Sequence, residues 1–225
     1  MRASLTAACA LTFCLLLPDP ALAGCDETAG PGVDWSDCEK RRLKLGGSDL
    51  NGAIFVKANL SSSDFKDADL TGADLSSANV TRARFSGAKM TDAVLETTAG
   101  DRADFVGTDL TGANMVKAEL PRADLTEAIL DGADLEKADL QRTVFEKASL
   151  KNVNFEYALL ARTKLQGADL EGAKLHGAYT LLARFEGTDL SKTEGLTQDQ
   201  LDIACGDSET GLPDGLEMPA EWPCE

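Results

Sequence analysis

Aromatic residues make up only 5% of this 225-residue chain, and histidine occurs once. The first shortage excludes a conventional globular core built around rings and leaves Leu, Ala and a few Phe to fill whatever interior exists. The second removes the usual general base, since His176 directly follows an apolar Leu175 and reads as an exposed surface residue. No apolar run reaches the ~20 residues that a membrane-crossing helix needs. Basic residues are scarce against acidic ones, and the formal net charge of −16 argues against adhesion to nucleic acid or anionic lipid. There is no Gly-rich phosphate loop, no His/Cys metal spacing, no locatable Ser-His-Asp set and no G-G-x-G-x-D calcium run. The expectation is therefore a non-enzymatic protein with no cofactor.

What is present begins with an export signal. Arg2 supplies a positive start, Leu5 to Leu17 is an apolar stretch too short to span a bilayer, and Ala21-Leu22-Ala23 offers a small-x-small cleavage site. Residues 1–23 are read as a signal peptide, which takes Cys9 and Cys14 with it. The mature cysteines are then Cys25, Cys38, Cys205 and Cys224, an even set in an oxidising compartment and expected to be disulfide-bonded. The same junction, Leu22-Ala23-Gly24-Cys25, resembles the bacterial lipobox, in which the cysteine becomes lipidated. That alternative leaves Cys38 without an evident partner, so a soluble periplasmic or secreted protein is preferred over a lipoprotein anchored through Cys25.

Beyond the signal, one large apolar side chain recurs at every fifth position, without insertion or deletion, from Leu45 to Leu190. Neither a helix nor a strand keeps residues five apart on one face. A chain that turns a corner once per pentad does. Two residues before each large side chain sits a small one, such as Ala53, Ala58 or Ala68; in an extended segment both point the same way, inward. Sorted at intervals of twenty, the large positions become chemically distinct. One column holds Phe65, Phe85, Phe105, Phe145 and Phe185, interspersed with Leu45, Leu125 and Leu165; another is almost all Leu; a third gathers the imperfections, Lys40, Val80, Gly100 and Thr180. Segregation at twenty is what a four-sided coil predicts. Gly52, Gly72, Gly112, Gly132 and Gly172 share one slot with Asp92 and Asn152, which reads as a corner with a type II-like turn.

Pentads such as ADLTG, ADLSS, ANVTR and ADLEG resemble those of the pentapeptide-repeat family. The resemblance implies an all-β fold, a right-handed quadrilateral β-helix of about 7–8 coils, roughly 36 Å long at about 4.8 Å per coil. The expected layout is an N-terminal cap segment at 24–39, the repeat solenoid at 40–194, and a C-terminal cap at 195–225. Trp35 falls in the register of five and is expected to plug the first coil. Within the C-terminal cap, Leu196-Thr197-Gln198-Asp199-Gln200-Leu201 carries a capping box and a hydrophobic staple, predicting a short helix from about Thr197 to Ala204. Cys205 and Cys224 bracket a Gly/Pro-rich segment; a bridge closing that loop contributes about 3 kcal/mol. Metal binding by this pair is the alternative, but no histidine is near. Cys25 with Cys38 would form a second clasp.

Outside, one corner carries Arg82, Arg102, Arg122, Arg142 and Arg162 at intervals of twenty, with Arg42 lower in the same slot. Asp104 and Asp124 follow two residues after an arginine, so an ion-pair ribbon is one reading and a partner-binding ridge the other. A second outward column, Asp49, Asp69, Asp109, Asp169 and Asp189, is expected to be mostly solvated. The functional expectation is a rigid surface for an unidentified protein partner. An envelope-associated spacer is the alternative. Some cytoplasmic members of the family are acidic rods that mimic DNA and protect gyrase, a use that the export signal disfavours here.

Overall fold

The computed structural model describes residues 24–224; the signal-peptide reading of residues 1–23 lies outside them. The backbone hydrogen bonds of a single pentad explain the architecture. The Leu110 amide donates to the Ile129 carbonyl at 2.7 Å, and the Gly112 amide to Asp131 at 3.0 Å. Both acceptors lie nineteen residues ahead, in the next coil. The Ala113 amide closes the turn onto Leu110 at 3.0 Å, and the Asn114 amide donates backwards to Ala93 at 2.9 Å. One amide per pentad is left over, at the first corner residue, and the side chain two residues earlier takes it: Asp109 Oδ1 accepts from the Thr111 amide at 3.0 Å. This Asx turn is why Asp or Asn precedes so many of the inward leucines.

Repetition of that unit stacks the chain into a four-sided coil. On one wall, parallel bridges link Asp34, Ile54, Asp74, Val94, Asn114, Asp134, Asn154, Lys174 and Glu194, nine rungs at an interval of twenty. From Gly32 to Gly187 every corner places its second residue in the left-handed region, whatever its type: Gly112 at φ 68°, Arg102 and Lys117 at 56°, Tyr157 at 58°. The sequence assigned such a turn to the glycine column alone. The structure extends it to all four corners, because the amide of that residue must face the coil ahead. For a non-glycine residue the conformation costs about 1–2 kcal/mol, offset by hydrogen bonds worth about 0.5–1.5 kcal/mol each and by the burial that each corner makes possible.

The interior is narrow and filled in layers. Phe65, Phe85 and Phe105 stand on one wall as a parallel stack, with ring centroids 4.9 Å and 4.8 Å apart and planes within 5°. Higher on the same wall Phe145 and Phe185 alternate with Leu125 and Leu165, all buried. Small residues beside them leave the room. Where that small residue is Thr, its hydroxyl has a partner: Thr98 donates to the Leu75 carbonyl at 2.7 Å and Thr108 to Phe85 at 2.8 Å. Gly100 leaves no void in the irregular column. An added Cβ there would lie 2.6 Å from Leu120 Cδ2 and 3.1 Å from Val80 Cγ2, so its neighbours have closed over it.

Both ends extend further into the coil than the pentad count implied. At the N-terminus the inter-coil bonding starts at Gly32, whose amide reaches Asn51 at 2.8 Å. Val33, Trp35 and Cys38 are buried in register, so most of the segment assigned to a cap is the first part of the solenoid. Trp35 lies 5.6 Å from Phe55, and Lys40, in the inward column at this open end, places its ammonium 4.4 Å over the indole. The Cys25–Cys38 disulfide, with Cα atoms 5.6 Å apart, ties the leading segment to this coil.

At the other end, helix α1 spans Gln198–Asp202, shorter than the predicted Thr197 to Ala204, with both halves of the capping box at Thr197 and Gln200 formed. Gln200 is itself a plug: its Nε2 donates to the carbonyls of Leu175 and Ala178, both at 2.8 Å. After α1 the chain returns to the solenoid. Cys205 bridges Arg184 and Gly211 bridges Asp189, adding two rungs with one and two residues inserted relative to the repeat. The Cys205–Cys224 disulfide then pins the tail, and Trp222 donates to the Ala204 carbonyl at 2.8 Å.

Leu110 is wholly buried, so Leu110→Asp should leave an unpaired charge mid-core and destabilise the rod by at least about 3 kcal/mol. Thermal unfolding by circular dichroism checks this; a midpoint equal to that of the unaltered protein would contradict the inward placement.

Candidate interaction surface

The outward chemistry follows from which corner or wall each residue occupies. Arg42, Arg82, Arg102, Arg122, Arg142 and Arg162 all sit at the second position of one corner, with φ between 56° and 61°, and all six are exposed. The ion-pair ribbon with Asp104 and Asp124 does not form. Asp104 accepts instead from the Ser86 hydroxyl and the Val106 amide, and Asp124 from the Thr126 amide and hydroxyl. Both carboxylates are engaged in Asx turns on the neighbouring wall. Among the described residues the ridge has one paired counter-charge, which sequence reasoning missed: Asp101, on the corner itself, lies 3.6 Å from Arg102 and 3.0 Å from Arg122. Its signal was its slot, directly before an arginine and one coil below another. Arg82, Arg142 and Arg162 make no ion pair among the described residues.

The acidic column is exposed at Asp49, Asp169 and Asp189 and half-buried at Asp69 and Asp109, and each carboxylate is also tied to its own backbone. Asp49, Asp69, Asp109, Asp169 and Asp189 each accept the amide two residues ahead, at 2.9–3.2 Å. Asp169 also pairs with Lys151 at 3.2 Å. Hydrogen bonds from the Thr71 hydroxyl and amide hold the Asp69 carboxyl below the usual carboxylate range, and Ser191 does the same for Asp189. At Asp109 burial pushes upward, but the donors on Thr111 and Thr91 outweigh it and the net direction is again downward.

Among the described residues no set of polar side chains converges in the manner of a catalytic site. His176 is exposed on a corner, its ring edge-on to Tyr157 at 5.6 Å, and no group of three or more His, Cys, Asp or Glu among the described residues could hold a metal ion. No helix among them is long and apolar enough to cross a membrane. Sequence reasoning also passed over apolar residues at outward positions of the last coils: Tyr157, Leu159, Tyr179, Leu181 and Leu182 are exposed. Their slots within the pentad, where polar residues stand in earlier coils, were the available signal.

A family model described as pentapeptide repeats (8 copies) matches residues 44–82, 68–98, 78–115, 103–142, 118–156, 138–177 and 154–191. The chain belongs to the pentapeptide-repeat family. Its fold is that family's right-handed quadrilateral β-helix, and the members are generally structural or interaction proteins. Among solved structures it is similar to HetL, a pentapeptide repeat protein involved in heterocyst differentiation regulation from the cyanobacterium Nostoc sp. strain PCC 7120. Identity is 26%, the TM-score is 0.63, and the match covers 86% of this chain and 94% of HetL. The fold is also that of QnrB1, a plasmid-mediated fluoroquinolone resistance protein, at 18% identity and a TM-score of 0.59, covering 80% and 92% of the two chains. Comparison of the sequence with curated proteins finds no match.

The depressed carboxyls of this pentapeptide-repeat protein have a consequence for pH. A group whose folded pKa lies below its unfolded value stabilises fully above the ordinary range near 4 and loses that contribution as pH falls through the folded value. Thr71→Val with Thr111→Val removes a hydroxyl donor from each of two such carboxyls. The variant should therefore show a shallower loss of melting temperature on acidification than the unaltered protein, relief of the common net negative charge cancelling in the comparison. Parallel acid limbs would contradict the assignment.

Proposed function

We propose that this protein is an exported, non-enzymatic rod that presents its arginine corner to a protein partner in the periplasm or outside the cell. The observation that carries the reading is the ridge itself: six cations in one column of an acidic molecule, paired among the described residues by Asp101 alone. Each would be relieved of backbone strain by Gly or Asn, the residues used in the same turn at another corner. A stacked set of planar guanidinium groups offers forked donors to carboxylates. The regulatory involvement of HetL accords with use through binding. The DNA-mimic alternative is less well supported, because a ridge of exposed arginines interrupts the acidic surface.

Arg102, Arg122 and Arg142 changed together to Ser should leave the melting temperature within a few degrees and abolish capture of the partner from envelope extracts. Unchanged capture would return the ridge to a structural role. Export without a lipid is supported by the Cys25–Cys38 bridge, since a lipidated Cys25 has no thiol left to bond. Mass spectrometry of the mature chain should find Gly24 at the terminus and four cysteines that resist alkylation; diacylglyceryl on Cys25 would establish the anchored spacer instead.

A further inference from the structure

Resting on that reading of the corner as a partner contact, we propose that its C-terminal end docks an acidic segment of the partner protein that carries an aliphatic or aromatic anchor. Two observations meet there. First, from Asp101 up to the leucine pair the corner contains no further acidic residue: its successive pairs are Pro121-Arg122, Gln141-Arg142, Ala161-Arg162 and Leu181-Leu182. The column of cations thus ends in an apolar step. Second, the adjoining wall changes character at the same level. Glu39, Asn59, Asn79, Glu119 and Asp139 occupy its outward slot lower down, with Ala99 among them, and Leu159 and Tyr179 occupy it in the last two coils.

These residues form one continuous strip. Leu159 and Tyr179 are bridged rungs. The Arg162 amide donates to the Leu181 carbonyl at 2.8 Å, placing the last arginine directly beneath the leucine pair, and the Leu182 amide donates to Ile203 at 2.6 Å. Tyr179 is 46% exposed and Leu182 39%, far more than side chains recruited for the core. Leu182 also sits at φ 55°, so it carries the cost of a left-handed backbone while standing outside the core. Beside the strip a groove is lined by Arg162, Leu182, Lys164, Arg184 and the Cys205–Cys224 bridge. Lys164 and Arg184 are engaged by Glu146 and Glu186, which leaves Arg142 and Arg162 as the free cations.

Charge complementarity selects the occupant. A second copy of this chain meeting the strip with its own strip, as in a twofold dimer, would bring the same unpaired arginines to the contact. An anionic bilayer lying on this face would also meet Asp139, the rung directly below Leu159, and Asp202, next to Ile203, whereas a single acidic segment follows the strip alone. A short segment with carboxylates toward the corner and one or two apolar side chains toward Tyr179 and Leu182 satisfies both halves of the surface.

The test is a display selection of random short peptides on the full disulfide-bonded protein. Enriched peptides should be net acidic with at least one large apolar residue. Their binding should weaken about tenfold or more on Arg142→Glu with Arg162→Glu, and on Tyr179→Ser with Leu182→Asn; all four positions are exposed, and Asn accepts the left-handed corner. Peptides of neutral or basic composition, no enrichment, retained binding by both variants, or anionic phosphatidylglycerol vesicles binding in place of peptide would each overturn the proposal. If partner capture still depends on Arg102, Arg122 and Arg142 in that event, the reading of the ridge stands without this refinement; if capture is indifferent to them, the reading itself has failed.

Discussion

A backbone amide that reaches nineteen residues ahead is the bond on which this molecule depends. It recurs twice in almost every pentad, at the inward residue and at the second corner residue, and it is met by an amide reaching twenty-one residues back. Each bond is worth only about 0.5–1.5 kcal/mol net, yet together they make the register intolerant of change. One residue inserted mid-repeat would turn a whole wall inside out. The chain admits insertions only after Leu190, where α1 leaves the coil and the tail rejoins it at Cys205 and Gly211.

That bond also sets the conformation of the corners. An amide directed at the coil ahead requires the left-handed backbone at that residue, and side-chain type does not alter the requirement. Among the described residues twenty that are not glycine adopt it, Arg, Lys, Tyr and Leu among them. The period of five and the columns at twenty were legible because they concern which side chains are large, and burial acts on size. The left-handed corners were legible only at Gly52, Gly72 and their column, because intrinsic preference is visible in glycine and overridden elsewhere by the tertiary bond. The same reasoning explains Asp104, Asp124 and the column from Asp49 to Asp189. Read as charges, they seemed free for ion pairs or solvent; read as hydrogen-bond acceptors, they complete the one amide per pentad that the coil leaves unpaired.

The ends were the least legible part. Trp35 and Cys38 keep the register but lie among Pro31, Gly32 and Asp34, so composition hid a coil that geometry continues. The apolar strip from Leu159 to Leu182 was hidden differently: leucine is the commonest inward residue here, and only its slot within the pentad shows that these leucines face out. The outward chemistry of such a fold is therefore read from the slot a residue occupies, not from contiguous motifs.

The constant rise of the coil has one more implication. Guanidinium groups on successive coils climb at about 4.8 Å, close to the pitch of an α-helix at about 5.4 Å and far from the ~6.8 Å between same-face residues of a strand. A helical visitor could match three or four arginines before the accumulating offset, about 2 Å after three steps, carried it out of phase. Against such a column a short helix stays in phase and a long straight one does not.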